Sequence, residues 1–203
     1  MPDGLDFARV RVVVCEANDP LRRNILQLLR QLGFGDVVAK EKTAQCLPLI
    51  ERGPVDLLIC DDQGGEACFQ TVHGLRHHAI DNNPFVVSIG MVGKGAAEQG
   101  KVARAVNSGS DALLLKPFTS AAFAERVLAV AARRKPFVAT ADYIGPTRRQ
   151  RPRNEREARM EFRVPNPVEE IASGATREET IRLIRKGTVL LDQRKLNVNV
   201  DEI

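Results

Sequence analysis

The sequence contains no tryptophan, a single tyrosine and only 4% aromatic residues. Its core must therefore be aliphatic, and 43% apolar residues in 203 positions suffice for one domain and an appendage. No apolar run approaches the roughly 18 residues of a membrane-spanning helix. Residues 1–16 lack a basic segment followed by an apolar one, so no secretory signal is predicted and a cytoplasmic location is expected.

The cysteines do not show the CxxC spacing that is typical of zinc sites and redox motifs. The four positions are Cys15, Cys46, Cys60 and Cys68. In a chain that is not exported, they are predicted to be reduced and buried rather than joined in a disulfide framework.

The positive charge is concentrated in one stretch. Residues 133–163 include ten arginines and lysines but only four acidic residues, and the segment also contains three prolines. Such a composition is typical of a linker. We therefore predict a first domain over residues 1–135, a basic linker over 136–165, and a C-terminal extension over 166–203.

The first domain alternates short apolar runs with amphipathic segments. The predicted strands are residues 10–16, 36–40, 55–61, 84–90 and 111–116. The predicted helices are residues 19–32, 43–52, 66–78, 96–107 and 120–134. Because parallel strands need right-handed helical crossovers, this order predicts an α/β fold with a doubly wound, five-stranded parallel sheet and helices on both faces.

Charged residues end three of these strands. Glu16 ends the first strand, Asp61 the third and Lys116 the fifth. Since the carboxyl ends of parallel strands lie at one edge of the sheet, where ligands and chemistry collect, the three side chains are expected to meet there.

Three segments carry a resemblance to a known family. They are VVVCEANDPLRRNILQLLRQLGF at 12–34, VDLLICDD at 55–62 and GSDALLLKPFT at 109–119. Together they resemble the CheY-like receiver domain of response regulators in two-component signalling, over roughly residues 9–135. Its most specific part is the Lys-Pro-Phe motif that begins at Lys116.

The resemblance implies a phosphorelay function and not an enzyme. Asp61 takes the role of the phosphoacceptor, served by a histidine kinase or a phosphotransfer protein. Mg²⁺ is held by Glu16, Asp61 and the backbone carbonyl of Gln63, while Lys116 pairs with the phosphoryl oxygens. The peptide bond before Pro117 is cis in that family. A carboxylate that attacks phosphorus needs such positive charge nearby.

Several positions depart from the family pattern. Ala17 stands where a second acid holds the metal, and counting from Pro84 puts Ile89 where a serine or threonine bonds the phosphoryl group. Ser88 is one position away and should point to the opposite face. Leu113 replaces a switching aromatic residue. These changes predict weak Mg²⁺ binding. Two hypotheses on the function stay open: a weakly phosphorylated response regulator, or a pseudo-receiver adaptor that signals by binding alone.

The extension contains one predicted amphipathic helix, with Thr176 and Glu179 as a capping box. A DNA-binding helix-turn-helix domain needs about three helices, so specific DNA binding is not favoured. We expect the helix to dock on its own domain, on a second copy in a homodimer, or on a partner protein. The first choice of dock is the face formed by the fourth helix, fifth strand and fifth helix.

Overall fold

A computed structural model describes residues 4–61, 67–78, 83–93, 98–140, 142–148 and 160–201. The strands are β1 (Arg11–Cys15), β2 (Asp36–Lys40), β3 (Leu57–Asp61), β4 (Val87–Gly93), β5 (Ala112–Lys116), β6 (Phe137–Ala139) and β7 (Ile144–Pro146). The helices are α1 (Asp19–Gln31), α2 (Thr43–Glu51), α3 (Ala67–Arg76), α4 (Glu98–Asn107), α5 (Ser120–Ala132), α6 (Pro167–Ala172) and α7 (Arg177–Asp201).

The first five strands form one parallel sheet in the order β2-β1-β3-β4-β5. Its central strands are buried on both faces, as their continuous valine, leucine and isoleucine runs predict. One face packs against apolar residues of α1 and α5, such as Leu29 and Phe123, and the other against α2 and α3, such as Ile50 and Leu75. The predicted doubly wound α/β fold is confirmed.

Strand β4 begins three residues later than the apolar pattern predicts. The buried Asn83 explains the delay, because its side-chain amide donates to the Val55 carbonyl at 3.1 Å and its side-chain oxygen accepts from the Phe85 amide at 3.1 Å. These bonds hold the segment before β4 in a turn, so the strand starts only at Val87.

The range predicted to be a linker contains a folded hairpin instead. Strands β6 and β7 pair antiparallel, and Phe162 forms a further bridge with Phe137. A separate apolar cluster is buried there, made of Phe85, Phe137, Ala139, Ile144, Phe162, Ile184 and Leu191. The linker prediction is therefore wrong at the hairpin, because Phe137, Ala139 and Ile144 are placed to be buried. Residues 149–159 of that range lie outside the described part.

The extension has two helices where the sequence predicts one. The predicted capping box is present at the start of α7, where Glu179 Oε2 accepts from the Thr176 amide and hydroxyl, both at 2.8 Å. These bonds lower the pKa of the Glu179 carboxyl. Within the described residues, no helix combines the length and apolar content needed to cross a membrane.

The extension docks on the amino-terminal edge of the sheet. Arg177 forms an ion pair with the buried Asp56, which precedes β3, and donates to the Arg9 carbonyl at 3.2 Å. Ile184 and Leu191 of α7 pack against Phe85, which precedes β4. For the predicted helix, now α7, the expected dock on α4, β5 and α5 is wrong, and Leu115 of β5 remains 43% exposed. Helix α6 of the extension does pack against α5.

Phe137 is the anchor of this contact, and Phe137→Ala is expected to lower the free energy of unfolding by about 3–5 kcal/mol. Its ring is fully buried and lies 5.2 Å from the Arg76 guanidinium and 4.6 Å from that of Arg134. Urea unfolding of the full chain measures the change. The matched control is Val138→Ala on the same strand, where the half-buried side chain should cost under about 1.5 kcal/mol. Equal losses for both variants would contradict the anchoring role.

Candidate functional site

Three charged side chains meet at the carboxyl edge of the sheet. Lys116 Nζ lies 2.6 Å from Glu16 Oε2 and 2.7 Å from Asp61 Oδ2. All three residues are buried, with Glu16 0%, Asp61 5% and Lys116 8% exposed. The arrangement follows from the topology, because β1, β3 and β5 all run toward this edge.

The charges of this cluster do not balance. Two carboxylates face one ammonium, which leaves a formal charge of about −1 in a buried position. The second oxygen of Glu16 accepts from the Asn18 amide at 2.8 Å, so the backbone compensates part of that charge. The remaining negative charge attracts a cation, and carboxylate oxygens suit a hard one such as Mg²⁺.

The residues around the carboxylates fit a weak Mg²⁺ site. Ala17 is exposed and supplies no side-chain oxygen, while Asp19 is engaged in ion pairs with Arg22 and Arg23. Among the described residues, no group of three histidine, cysteine or acidic side chains is arranged to hold a metal. Gln63, whose carbonyl is a predicted ligand, lies outside them. Since Mg²⁺ keeps several waters and uses one or two carboxylates, Glu16 and Asp61 suffice for a loose site.

Neither predicted hydroxyl position lies beside Asp61. Strand pairing places Met91 opposite Asp61, whereas Ile89 pairs with Ile59 and Ser88 pairs with Leu58. The residue opposite Asp61 is therefore two positions beyond the one that the count from Pro84 gives. Ser88 is instead buried toward the amino end of the sheet, where its hydroxyl accepts from Arg76 at 3.0 Å. The residues of β4 beside Asp61 are therefore apolar.

At the aromatic switch position, Leu113 is half-buried and packs with Phe69, Val92 and Ala105 between the sheet and helices α3 and α4. Its side chain approaches Gly90 so closely that a Cβ added there would lie 3.0 Å from Leu113 Cδ2. An aliphatic side chain thus holds this position in the core. The Lys116–Pro117 peptide bond is cis.

Sequence reasoning missed a second charged cluster, at the opposite edge of the sheet. Arg76 at the end of α3 is fully buried, and burial lowers its pKa to about 10. Its guanidinium donates to the carbonyls of Pro84, Val86 and Gly109 at 2.6, 2.8 and 3.0 Å. It also pairs with Asp111 Oδ2 at 2.9 Å. No local pattern predicts this burial, because the acceptors come from two separate turns, before β4 and before β5.

Arg134 completes that cluster and ties it to the extension. Its Nε donates to Asp111 Oδ1 at 2.8 Å, and its Nη1 donates to the Pro165 carbonyl at 2.6 Å. Both arginines pair with Asp111, and both lie against Phe137 of the hairpin. The cluster therefore joins the end of α3 to the hairpin.

The three histidines near the end of α3 do not form a metal site in the part of the chain that the structure describes. The rings of His73 and His77 stack with centroids 4.2 Å apart, and His78 faces Asp192 of α7 at 3.8 Å. Burial lowers the pKa of His77 to about 4, so it is neutral at physiological pH.

No protein-family model matches the chain. Among curated proteins, the chemotaxis protein CheY-3 of Vibrio cholerae is similar at 23% identity over 119 residues, or 58% of this chain and 88% of that protein. Among solved structures, a response regulator from Thermotoga maritima superposes with a TM-score of 0.50 at 19% identity, covering 59% of this chain and 94% of that one. The fold is that of a receiver domain.

The receiver fold accounts for residues up to the end of α5, and the hairpin and last two helices lie beyond it. A further similar structure is the receiver domain of a sensor histidine kinase from Pseudomonas aeruginosa, with a TM-score of 0.46 at 21% identity over 57% of this chain and 92% of that one. That protein was solved with a magnesium ion coordinated in its active-site cleft.

Proposed function

We propose that this protein is a response regulator that accepts a phosphoryl group on Asp61, although weakly, from a histidine kinase or a phosphotransfer protein. The observation that carries the proposal is the buried contact of one lysine with two carboxylates at the carboxyl edge of a receiver fold. A lysine at that place is ready to bind the oxygens of an arriving phosphoryl group.

The chemistry uses the residues of this cluster directly. A carboxylate oxygen of Asp61 attacks phosphorus while the bond from phosphorus to the donor histidine nitrogen breaks, which leaves an acyl phosphate and a free imidazole. Lys116 then exchanges its contact with Asp61 for the phosphoryl oxygens, and it keeps Glu16 as its partner. Mg²⁺, held by Glu16 and Asp61, would supply the further positive charge that the phosphoryl oxygens need.

A pseudo-receiver adaptor is the second candidate, and the neighbourhood of Asp61 favours it. The residues of β4 beside Asp61 are the buried Met91 and Val92, so this strand has no hydroxyl there that could bind a phosphoryl group. Such a protein would signal by protein contacts alone, as we also propose for the phosphorylated form. DNA binding is not proposed, because the two helices of the extension pack on the receiver domain itself.

Incubation of the full chain with acetyl phosphate and Mg²⁺, followed by intact mass, tests the proposal. We expect a single phosphoryl adduct that forms slowly and is removed by hydroxylamine, which cleaves acyl phosphates. An adduct that resists hydroxylamine would place the group on another residue type. If no adduct forms at any Mg²⁺ concentration, the pseudo-receiver is the better description.

Restoring the missing acid should strengthen the metal site. Ala17→Asp adds a carboxylate next to Glu16, so Mg²⁺ affinity is expected to rise at least tenfold, about 1.4 kcal/mol. The metal-free variant should be slightly less stable, because the new carboxylate repels those of Glu16 and Asp61. Calorimetric titration measures the affinity, with Ala17→Asn as the uncharged control. Unchanged affinity in Ala17→Asp would show that Ala17 does not face the metal.

A further inference from the structure

All four cysteines of the chain lie in one layer, between the sheet and helices α2 and α3. Their thiols are free and buried in the same apolar cluster. Cys15 is the last residue of β1 and Cys60 precedes Asp61 on β3, while Cys46 lies on α2 and Cys68 on α3. Thiols that lie in one cluster can be oxidised to a disulfide.

Cys15 shares one buried cluster with Cys46 and Cys68, and its neighbours on α2 favour Cys46 as the partner. Cys46 Sγ also lies 4.0 Å from the Val14 carbonyl oxygen, in the peptide unit that leads into Cys15. Thr43, one turn before Cys46 on α2, has its hydroxyl 3.6 Å from Cys15 Sγ. Two side chains of the same helix face therefore hold α2 against Cys15.

The alternative within the sheet is unfavourable. Cys15 and Cys60 are register partners on adjacent parallel strands. Side chains stand perpendicular to the sheet, so the Cβ atoms of two register partners are about as far apart as the strands, at about 4.8 Å. A disulfide needs its two Cβ atoms about 3.8 Å apart. Both strands are central and paired on each side, so they cannot approach one another. A helix that packs on the sheet can move by this amount.

Helix α2 has two features that favour local opening. It contains Pro48 in its interior, and a proline there removes a backbone hydrogen bond of the helix. Several of its residues, such as Ala44 and Gln45, face solvent. Local opening of such a helix admits a small oxidant to thiols that are otherwise buried.

We propose that Cys15 and Cys46 form a reversible disulfide when the protein meets a hydroperoxide. One thiol attacks an oxygen of the peroxide and becomes a sulfenic acid. The oxygen–oxygen bond breaks, and the rest of the peroxide leaves as an alcohol, or as water when it is hydrogen peroxide. The other thiol then attacks that sulfur and releases water. The two thiols together supply the two electrons that reduce the oxygen–oxygen bond, and a dithiol reductant restores them. The link would join the end of β1, one residue before Glu16, to α2.

The test treats the full chain with hydrogen peroxide, then alkylates it in denaturant and digests it with trypsin. Cleavage after lysine and arginine places Cys15 on peptide 12–22, Cys46 on peptide 43–52, and Cys60 with Cys68 on peptide 53–76. We expect two alkylated thiols instead of four, and a linked pair of peptides 12–22 and 43–52 that disappears after reduction. The readout does not depend on phosphoryl transfer, so the proposed function and this inference can fail separately.

Variants sharpen the assignment. Cys46→Ala should lose the link, whereas the matched variants Cys60→Ala and Cys68→Ala should keep it. Peptide mapping of the unmodified sequence decides the question even if a variant does not fold. A link between peptides 12–22 and 53–76, oxygen added to Cys15 without a link, or four alkylated thiols after peroxide treatment would each overturn the proposal.

Discussion

Replacing Asp61 with asparagine is expected to abolish the phosphoryl adduct while leaving the fold intact. An amide is not a nucleophile toward phosphorus, so no acyl phosphate can form at this position. The stability should change little, because Lys116 keeps its 2.6 Å contact with Glu16 and the repulsion between the two carboxylates is removed. Intact mass after acetyl phosphate treatment measures the adduct, and thermal unfolding checks the fold.

The neighbouring Asp62→Asn is the matched control, since it removes the same charge one residue away and should keep the adduct. Mg²⁺ affinity should fall in Asp61→Asn, because the formal charge of the cluster rises from about −1 to about 0. Loss of the adduct in Asp62→Asn with retention in Asp61→Asn would move the acceptor by one residue. Retention in both variants would move it elsewhere.

Replacing Arg76 with methionine is expected to lower the free energy of unfolding by about 3–5 kcal/mol. The guanidinium is fully buried and bonds three carbonyls, the Ser88 hydroxyl and the Asp111 carboxylate. Methionine fills a similar volume but leaves these acceptors without a donor, and each unsatisfied buried group is costly. Among the residues that the structure describes, Arg134 alone would then remain to balance Asp111.

Urea unfolding measures this loss, and Arg30→Met is the control. Arg30 occupies the last turn of α1 as Arg76 does that of α3, but it is exposed and should change the stability by less than about 0.5 kcal/mol. If Arg76→Met unfolds no earlier than Arg30→Met, the buried cluster does not stabilise the fold as described.

The receiver fold could be predicted because each of its signals is local. Asn18 and Pro20 mark the start of α1, and the apolar runs of β1, β3 and β5 end in charged residues. Parallel topology alone then brings Glu16, Asp61 and Lys116 to one edge. This part of the site needs no knowledge of individual contacts.

The remainder depends on contacts between distant segments. The hairpin strands have three residues each, too short to show a periodicity, and they lie among arginines and prolines that suggest a linker. The register of β4 against β3 puts Met91 opposite Asp61, and a count along the sequence from Pro84 cannot give that register. The burial of Arg76 depends on turns before β4 and β5 that no local pattern brings together.

Because the extension covers the segment before β1, this part of the fold is completed only after the extension has been synthesised. The Asp6 amide donates to the Ala172 carbonyl at 2.8 Å, and the side chain of Arg9 donates to the carbonyl of Ala175 at 3.2 Å. Arg9 and Ala175 lie 166 residues apart, and contacts between distant residues are slow to form. The segment before β1 is therefore covered only after α6 and the start of α7 have been synthesised. A receiver domain that emerges before the extension would expose Phe85, which packs against Ile184 and Leu191 of α7, and such apolar exposure favours aggregation.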